Sequence, residues 1–174
     1  NWAGNRSHFD EAAWYSMWNT LLNNAEILPD SFTKTDLIKI SITWLNGRQN
    51  LRWWSRVWEN ILENNSHIPS DASISQVVQT GAIWLRGRED SSQWSFVWQD
   101  ILKYGRNFEL TDTINETLEY GLEWLDGRQD QTQWAFVWQD TLKYTKLASP
   151  STDVTNLFTF GIDWLSNRES SNQW

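Results

Sequence analysis

Four arginines close a recurring five-residue string. It reads WLNGR at 44–48, WLRGR at 84–88, WLDGR at 124–128 and WLSNR at 164–168. A guanidinium binds a carboxylate or phosphate through paired hydrogen bonds and stacks on aromatic rings. Trp and Arg are also the residues most enriched among binding hot spots. The string therefore indicates recognition chemistry, and the candidate ligand-binding residues are Arg48, Arg88, Arg128, Arg168, Trp44, Trp84, Trp124 and Trp164.

The arginines also have a structural interpretation. Each one follows the end of a predicted helix, where it can bond free carbonyls, stack on a Trp, or pair with a carboxylate such as Asp100 or Asp140. The alternative is an arginine ladder presented to an acidic, carboxylate or phosphate-bearing partner. Burial of Arg88 and Arg128 against Trp rings favours the structural role, whereas exposure of both along one groove favours binding.

No motif for covalent chemistry is present. The chain lacks GxxxxGK[ST], GxGxxG, HExxH and CxxC, and it has no cysteine. His8 and His67 do not recur with the repeat and have no evident acid or base partner. We therefore expect no enzyme activity, no catalytic residue, no cofactor and no metal site.

The charge and composition of the chain disfavour further classes of function. The net charge is −8, which disfavours binding to nucleic acid or to anionic membranes. No apolar run approaches the roughly 18 residues of a membrane span. The absence of cysteine fits a cytoplasmic protein. A chain that starts with Asn1 is expected to be a fragment or a processed product.

Tryptophan recurs every 40 residues, which predicts a repeat protein. One column holds Trp14, Trp54, Trp94, Trp134 and Trp174, and another holds Trp18, Trp58, Trp98 and Trp138. The segments WSFVWQDILKY (94–104) and WAFVWQDTLKY (134–144) are nearly identical. We predict that Trp54, Trp58, Trp94, Trp98, Trp134 and Trp138 are structural core residues, with polar companions such as Gln99 and Gln139 for the indole N–H groups.

Each repeat is predicted to contain two helices, A and B, and no strand. In the third repeat, an apolar stripe at helical spacing runs along 113–127 and a second one along 133–144. Thr113 and Glu116 have the spacing of a capping box at the start of helix A. Asp71, Asp112 and Asp153 mark the capping regions of three A helices. Glu119, Glu123 and Asp126 are interpreted as a solvated face of helix A.

Two columns of small residues have structural explanations. Gly47, Gly87, Gly127 and Asn167 directly follow helix A, and Gly and Asn are the residues that most readily adopt the left-handed conformation of a helix C-cap. Gly81, Gly121 and Gly161 lie inside helix A, with Ser41 in the first copy. A glycine there costs about 1 kcal/mol relative to alanine, which predicts the close approach of another helix or a Trp ring.

The predicted fold is all-α, a right-handed α-solenoid of about four 40-residue helix-turn-helix repeats. Residues 1–174 form a single array: a half-repeat at 1–34, repeats at 35–71, 72–112 and 113–153, and a terminal half-repeat at 154–174. Helix A is incomplete at the start of the chain and helix B at its end. The unpaired faces predict weak end-to-end self-association.

The helix pairs resemble the tetratricopeptide-like α-solenoids, although that family's unit is about 34 residues long and favours small residues where this helix B carries Trp. The WLxGR…QWxFVWQxxL wording resembles the Trp-rich repeats at the C-terminal end of bacterial STAND-class NTPases, which are similar to NLR immune receptors. The resemblance covers nearly the whole chain. It implies a cytoplasmic sensor array in a defence protein, which binds a trigger and releases an upstream NTPase and effector. That NTPase is not in this sequence.

Two functions follow from these observations. The leading one is a protein- or peptide-binding module with Trp and Arg anchors. The alternative is a structural spacer or oligomerisation scaffold in which every Trp and Arg serves stacking. An enzyme would require a hidden acid–base pair in a pocket.

Overall fold

The structure, a computed structural model, describes residues 10–29, 31–70, 72–145 and 155–168. In these ranges all regular structure is helical, which agrees with the predicted all-α fold. The helices are α1 (Glu11–Asn23), α2 (Lys34–Leu45), α3 (Trp54–Glu63), α4 (Ile74–Leu85), α5 (Trp94–Asn107), α6 (Thr111–Leu125), α7 (Trp134–Tyr144) and α8 (Thr155–Ser166), with short 3₁₀ helices at Ala25–Ile27 and Asn65–His67.

The predicted A helices correspond to α2, α4, α6 and α8, and the B helices to α1, α3, α5 and α7. The chain divides into two compact units, Asn1–Val77 (unit 1) and Val78–Trp174 (unit 2), and the division falls within α4. In unit 1, α2 packs against α1 and α3. In unit 2, α6 packs between α5 and α7, and α7 also contacts α8.

A type II turn connects helix A to helix B. After α2, Asn46 has φ −65° and ψ 124°, and Gly47 has φ +72°. These are the angles of the two central residues of that turn. The Arg48 N–H closes it on the Leu45 carbonyl at 3.3 Å. Gly87 and Gly127 have φ +72° and +73°, so these glycines adopt the predicted left-handed conformation.

The same prediction is wrong for Asn167. Among the described residues, positive φ occurs only at the three turn glycines and at Glu109. The Asn167 N–H bonds to the Asp163 carbonyl at 3.2 Å, as in a continuing helix, and its side-chain amide bonds to the same carbonyl at 2.8 Å. Asn167, which has a Cβ, therefore keeps a right-handed conformation. The hydrogen bond of its side chain caps the end of α8.

The predicted capping box at Thr113 and Glu116 is also wrong. Helix α6 begins two residues earlier, at Thr111, and no side chain caps it. The Thr113 hydroxyl contacts the Gln79 side chain at 3.3 Å and Glu116 pairs with Arg86, so both side chains join α6 to the preceding copy.

Helix starts differ from one copy to the next. Asp112 lies in the first turn of α6 and does not cap it, while Asp71 and Asp153 lie outside the described residues. A capping box does occur at the start of α2, where Thr33 and Asp36 bond each other's backbone N–H groups. Hydrogen bonds from the Thr33 hydroxyl and N–H lower the pKa of the Asp36 carboxyl.

The connection between α5 and α6 is short, because α5 continues to Asn107 and α6 begins at Thr111. The Leu110 N–H bonds to the Gly105 carbonyl at 2.8 Å, the long bond of a Schellman motif. Glu109 occupies the left-handed position of this motif with φ +57°. A residue with a Cβ is strained in that conformation, so this tight turn carries a local energetic cost.

We expect the Glu109→Gly variant to be more stable than the wild type. The left-handed conformation costs an L-residue about 1–2 kcal/mol, and the extra chain entropy of glycine offsets roughly half of the gain. The free energy of unfolding in urea should therefore rise by about 0.5–1 kcal/mol. Glu119→Gly, in the interior of α6, is the matched control and should lower it by about 1 kcal/mol. A loss of stability in Glu109→Gly would contradict the strain at this turn.

The Trp columns of the B helices form the core. Trp54, Trp58, Trp94, Trp98 and Trp134 are buried, and Trp138 is half-buried. Backbone carbonyls accept the indole N–H groups of Trp54, Trp58, Trp98, Trp134 and Trp138. The predicted partner Gln99 bonds to Asp140 instead, at 2.5 Å. The second Trp of each B helix donates to the carbonyl 19 residues ahead, on the next A helix: Trp18 to Leu37, Trp58 to Val77, Trp98 to Thr117 and Trp138 to Leu157.

The glycines inside helix A make room for these indoles. A Cβ on Gly121 would lie 2.6 Å from Cζ2 of Trp98, and a Cβ on Gly161 would lie 2.6 Å from Cζ2 of Trp138. The predicted close approach of a Trp ring is therefore confirmed at both positions. Gly81, at the equivalent position of α4, is buried.

The first copy shows what happens without the glycine. Ser41 holds this position, and its hydroxyl bonds to the Leu37 and Ile38 carbonyls. The Trp18 indole N–H lies 3.4 Å from the Leu37 oxygen, whereas the equivalent distances in the later copies are 2.6–2.7 Å. The absence of a side chain at the glycine positions thus lets the indole reach the helix backbone.

Candidate functional site

The Trp column of the WLxGR string is buried. Trp44, Trp84, Trp124 and Trp164 are only 4–7% exposed. Trp124 stacks on Trp94 with ring centroids 5.2 Å apart, and its N–H bonds to the Glu89 carbonyl at 2.9 Å. The sequence named these Trp residues as candidate ligand-binding residues, but a buried ring that stacks within the fold offers little of its face to a ligand.

The same arrangement recurs elsewhere in the column. Trp164 stacks on Trp134 at 5.5 Å, and its N–H bonds to the Gln129 carbonyl at 3.1 Å. In unit 1, Trp44 stacks on Trp14 at 4.5 Å. Each of these indoles thus joins helix A to helix B of the preceding copy.

Two of the arginines cap their own A helices, and all four lie over a Trp ring. Arg48 and Arg88 donate from Nη1 to the Trp44 and Trp84 carbonyls at 3.0 Å, at the end of their own A helices. Each of the four guanidiniums lies 5.0–5.9 Å from the ring of its own copy's Trp: Arg48 over Trp44, Arg88 over Trp84, Arg128 over Trp124 and Arg168 over Trp164. This is the structural role that the sequence left open.

The arginines also contact neighbouring turns. Arg128 pairs with Asp90 at 3.5 Å, and not with Asp100 or Asp140 as suggested by the sequence. Arg168 donates to the Gln129 carbonyl. Arg48 is exposed, while Arg88, Arg128 and Arg168 are half-buried. Any ligand of this column therefore meets guanidiniums that the fold already holds.

A cleft of about 280 Å³ lies in unit 2, where the C-terminal ends of α4 and α6 face each other. Its apolar floor consists of the buried residues Leu85, Trp94 and Trp124. The residues around its rim are Arg86, Glu89, Tyr120, Glu123 and Arg128. We call this site the Tyr120 cleft.

A polar cluster fixes one side of the Tyr120 cleft. The Arg86 guanidinium pairs with Glu116 and lies 5.6 Å from the Tyr120 ring centre, and the Tyr120 hydroxyl bonds to the same Glu116 oxygen at 3.1 Å. The bond to Glu116 raises the pKa of Arg86. Burial, and then the bond to Glu116, raise the pKa of Tyr120. At neutral pH the cluster therefore contains a charged guanidinium and a protonated phenol.

Glu123 is the uncommitted charge of the cleft. It is exposed and forms no hydrogen bond or ion pair with the described residues. The neighbouring Glu89 carboxylate accepts the Gly87 N–H at 2.9 Å. Both guanidiniums of the rim already have carboxylate partners, so Glu123 is the group most available to a ligand.

A second cleft lies one copy later and shares part of this lining, at the positions equivalent to Glu89, Glu123, Trp124 and Arg128. It has a volume of about 780 Å³ and is lined by Gly127, Gln129, Asp130, Asp163, Trp164, Asn167 and Arg168. Asp163 occupies the position of Glu123, directly before the Trp. The earlier copies have Thr43 and Ile83 there, so the carboxylate is specific to the last two copies.

Sequence reasoning named Trp124 and Arg128 of the Tyr120 cleft as candidate ligand-binding residues, but it did not identify the cleft. It assigned Glu123 to a solvated face and did not single out Arg86 or Tyr120. The available signal was an acid immediately before Trp in two copies only. Within the part of the chain that the structure describes, no group of three or more His, Cys, Asp or Glu residues is arranged to hold a metal ion. In the same part, no helix has the length and apolar character needed to cross a bilayer.

Comparisons of the chain with protein-family models, with curated proteins and with solved structures found no match.

Proposed function

We propose that this chain is a protein- or peptide-binding repeat module and that the Tyr120 cleft is its binding site. The observation that carries this proposal is an apolar floor beside an uncommitted carboxylate, Glu123, in an open cleft. Small-molecule pockets usually have volumes of about 300–1,000 Å³. A cleft of about 280 Å³ therefore suits one side chain of a larger partner better than a whole small molecule.

The wider proposal is a right-handed α-solenoid that serves as the ligand-sensing array of a STAND-class, NLR-like protein in the cytoplasm. The alternation of A and B helices and the recurring type II turn support a stacked array. The WLxGR…QWxFVWQxxL wording supports the sensor role by resemblance. Partner binding would then favour one packing of the array and so bias the attached domains.

The alternative proposal is a structural spacer or oligomerisation scaffold. The WLxGR string favours it, because the Trp faces and the guanidiniums are engaged within the fold. The two proposals differ at Glu123, which contacts the partner in the first and stays solvated in the second.

The test is partner capture from lysate with mass spectrometry, using the wild type, Glu123→Arg and Glu119→Arg. Both variants change the net charge equally, on exposed positions of α6, but Glu119 does not line the cleft. We expect a specific partner to be lost with Glu123→Arg and kept with Glu119→Arg, while thermal melts stay within a few degrees of the wild type. No difference between the variants would favour the scaffold.

Arg88→Ala/Arg128→Ala is the companion variant. It removes the Arg88 cap of α4 and the contacts of Arg128 with Asp90 and Trp124, so we expect a lower melting temperature as well as any change in capture. Loss of a partner in this variant therefore counts as evidence for an arginine ladder only if its melting temperature equals that of the wild type.

A further inference from the structure

We infer that the Tyr120 cleft binds a cationic side chain, the lysine or arginine of a basic segment in the partner. This inference rests on the proposed binding function and specifies the partner's chemistry at the same site.

The charges around the cleft favour a cation. Two guanidiniums, Arg86 and Arg128, face four carboxylates: Glu89 and Glu123 on the rim, Glu116 beside Arg86 and Asp90 beside Arg128. The local sum is two positive and four negative charges, a net charge of −2. The whole chain carries −8, so its field also attracts a basic segment at long range.

An incoming carboxylate would meet unfavourable contacts. Arg86 is held by Glu116 and lies over the Tyr120 ring, and Arg128 lies beside Asp90 and over Trp124. An acidic ligand would have to share these guanidiniums with their present partners and would also face the Glu123 carboxylate. A cation can pair with Glu123 without breaking any of these contacts.

The floor of the cleft suits the stem of such a side chain. Lys and Arg pack their methylene groups on apolar surface while the charged head stays near water. Leu85, Trp94 and Trp124 provide that surface, and the exposed Glu123 lines the same cleft.

The second cleft extends the inference to a segment with several basic residues. Asp163 and Asp130 line it together with Arg168. Because the acid before Trp occurs in two successive copies, the partner is expected to place a basic residue in each cleft.

The probes for the test are capped pentapeptides Gly-Ser-X-Ser-Gly, in which X is Arg, Lys, Glu or Leu. They are titrated into the full chain while the ¹H–¹⁵N signal of the Trp124 indole is followed. The Arg and Lys peptides should shift this signal and the Glu and Leu peptides should not. Glu123→Gln should weaken binding of the Arg peptide about three- to fivefold, as expected for the loss of a partly exposed ion pair. Glu119→Gln should leave the binding unchanged. Higher salt should further weaken binding of the Arg peptide.

A larger response to the Glu peptide, no response to any peptide, or equal effects of Glu123→Gln and Glu119→Gln would each overturn the inference. The binding function can fail separately. A partner whose capture depends on Glu123 but whose segment is not basic would keep the proposed function and exclude the cationic ligand. If Arg and Lys peptides bind but no partner is captured, the ligand chemistry stands and the proposed function fails.

Discussion

Replacement of Gly121 by alanine is expected to lower the free energy of unfolding by about 2–3 kcal/mol. In an ordinary helix the same change is stabilising by about 1 kcal/mol. Here the new Cβ would lie 2.6 Å from Cζ2 and 2.9 Å from Cε2 of Trp98, a ring that is fully buried. Moving that ring strains the core and lengthens the 2.7 Å bond from its N–H to the Thr117 carbonyl. Overpacking of this kind costs roughly 1–3 kcal/mol, and a disrupted buried hydrogen bond adds a comparable amount.

Urea unfolding followed by circular dichroism measures this effect, and a double-mutant cycle isolates its cause. In a Trp98→Phe background the indole atoms that clash are gone, so Gly121→Ala should become nearly neutral or stabilising. Gly161→Ala is a second comparison, and it should cost less because its ring, Trp138, is only half-buried. If Gly121→Ala were equally destabilising with Phe at position 98, the clearance explanation would be wrong.

Trp124→Ala should cost about 3–5 kcal/mol of stability, the usual range for truncating a large buried aromatic residue. The ring is 4% exposed, stacks on Trp94, and bonds through its N–H to the Glu89 carbonyl. Its loss leaves a cavity under the Tyr120 cleft and an unpaired carbonyl at the preceding turn. Thermal and urea unfolding both measure the change.

Trp53→Ala is the matched control for this truncation. Trp53 is half-buried and stacks on Tyr15 with ring centroids 4.6 Å apart. Its truncation should therefore lower the free energy of unfolding clearly less than the truncation of Trp124. If Trp124→Ala kept the stability of the wild type but impaired partner capture, Trp124 would be a ligand-binding residue and not a core residue.

Repeated residues made much of the fold predictable. Gly47, Gly87 and Gly127 share a column with Asn and follow an apolar stripe, so a left-handed turn was the simplest explanation. Asn167 shows the limit of that reasoning: Asn tolerates the left-handed conformation but does not require it, and α8 ends without it. The glycines inside helix A indicated a close approach. The carbonyl that the Trp98 indole reaches became visible only with the structure, because it depends on the packing of two helices.

The candidate site was harder to predict for a related reason. Residues that repeat are the first candidates for a binding site in a sequence, but in this protein the repeated Trp and Arg residues mainly maintain the fold. Arg86 and Tyr120 are not repeated in type, and the acid of Glu123 recurs only once, as Asp163. Arg86 lies more than thirty residues before Tyr120 and Glu123, so only tertiary packing brings these three side chains together with the repeated Trp and Arg residues that also line the Tyr120 cleft.

The indole-to-carbonyl bonds of the B helices also bear on folding kinetics. Each one joins residues 19 positions apart, and the bonds from the WLxGR tryptophans to the preceding turn span 35. All of these spans are shorter than one repeat, so each loop closes at a small entropic cost. Proteins dominated by such local contacts fold rapidly. We expect nucleation to begin in any copy and spread to its neighbours, so a growing chain gains its native contacts as soon as the next A helix has been synthesised.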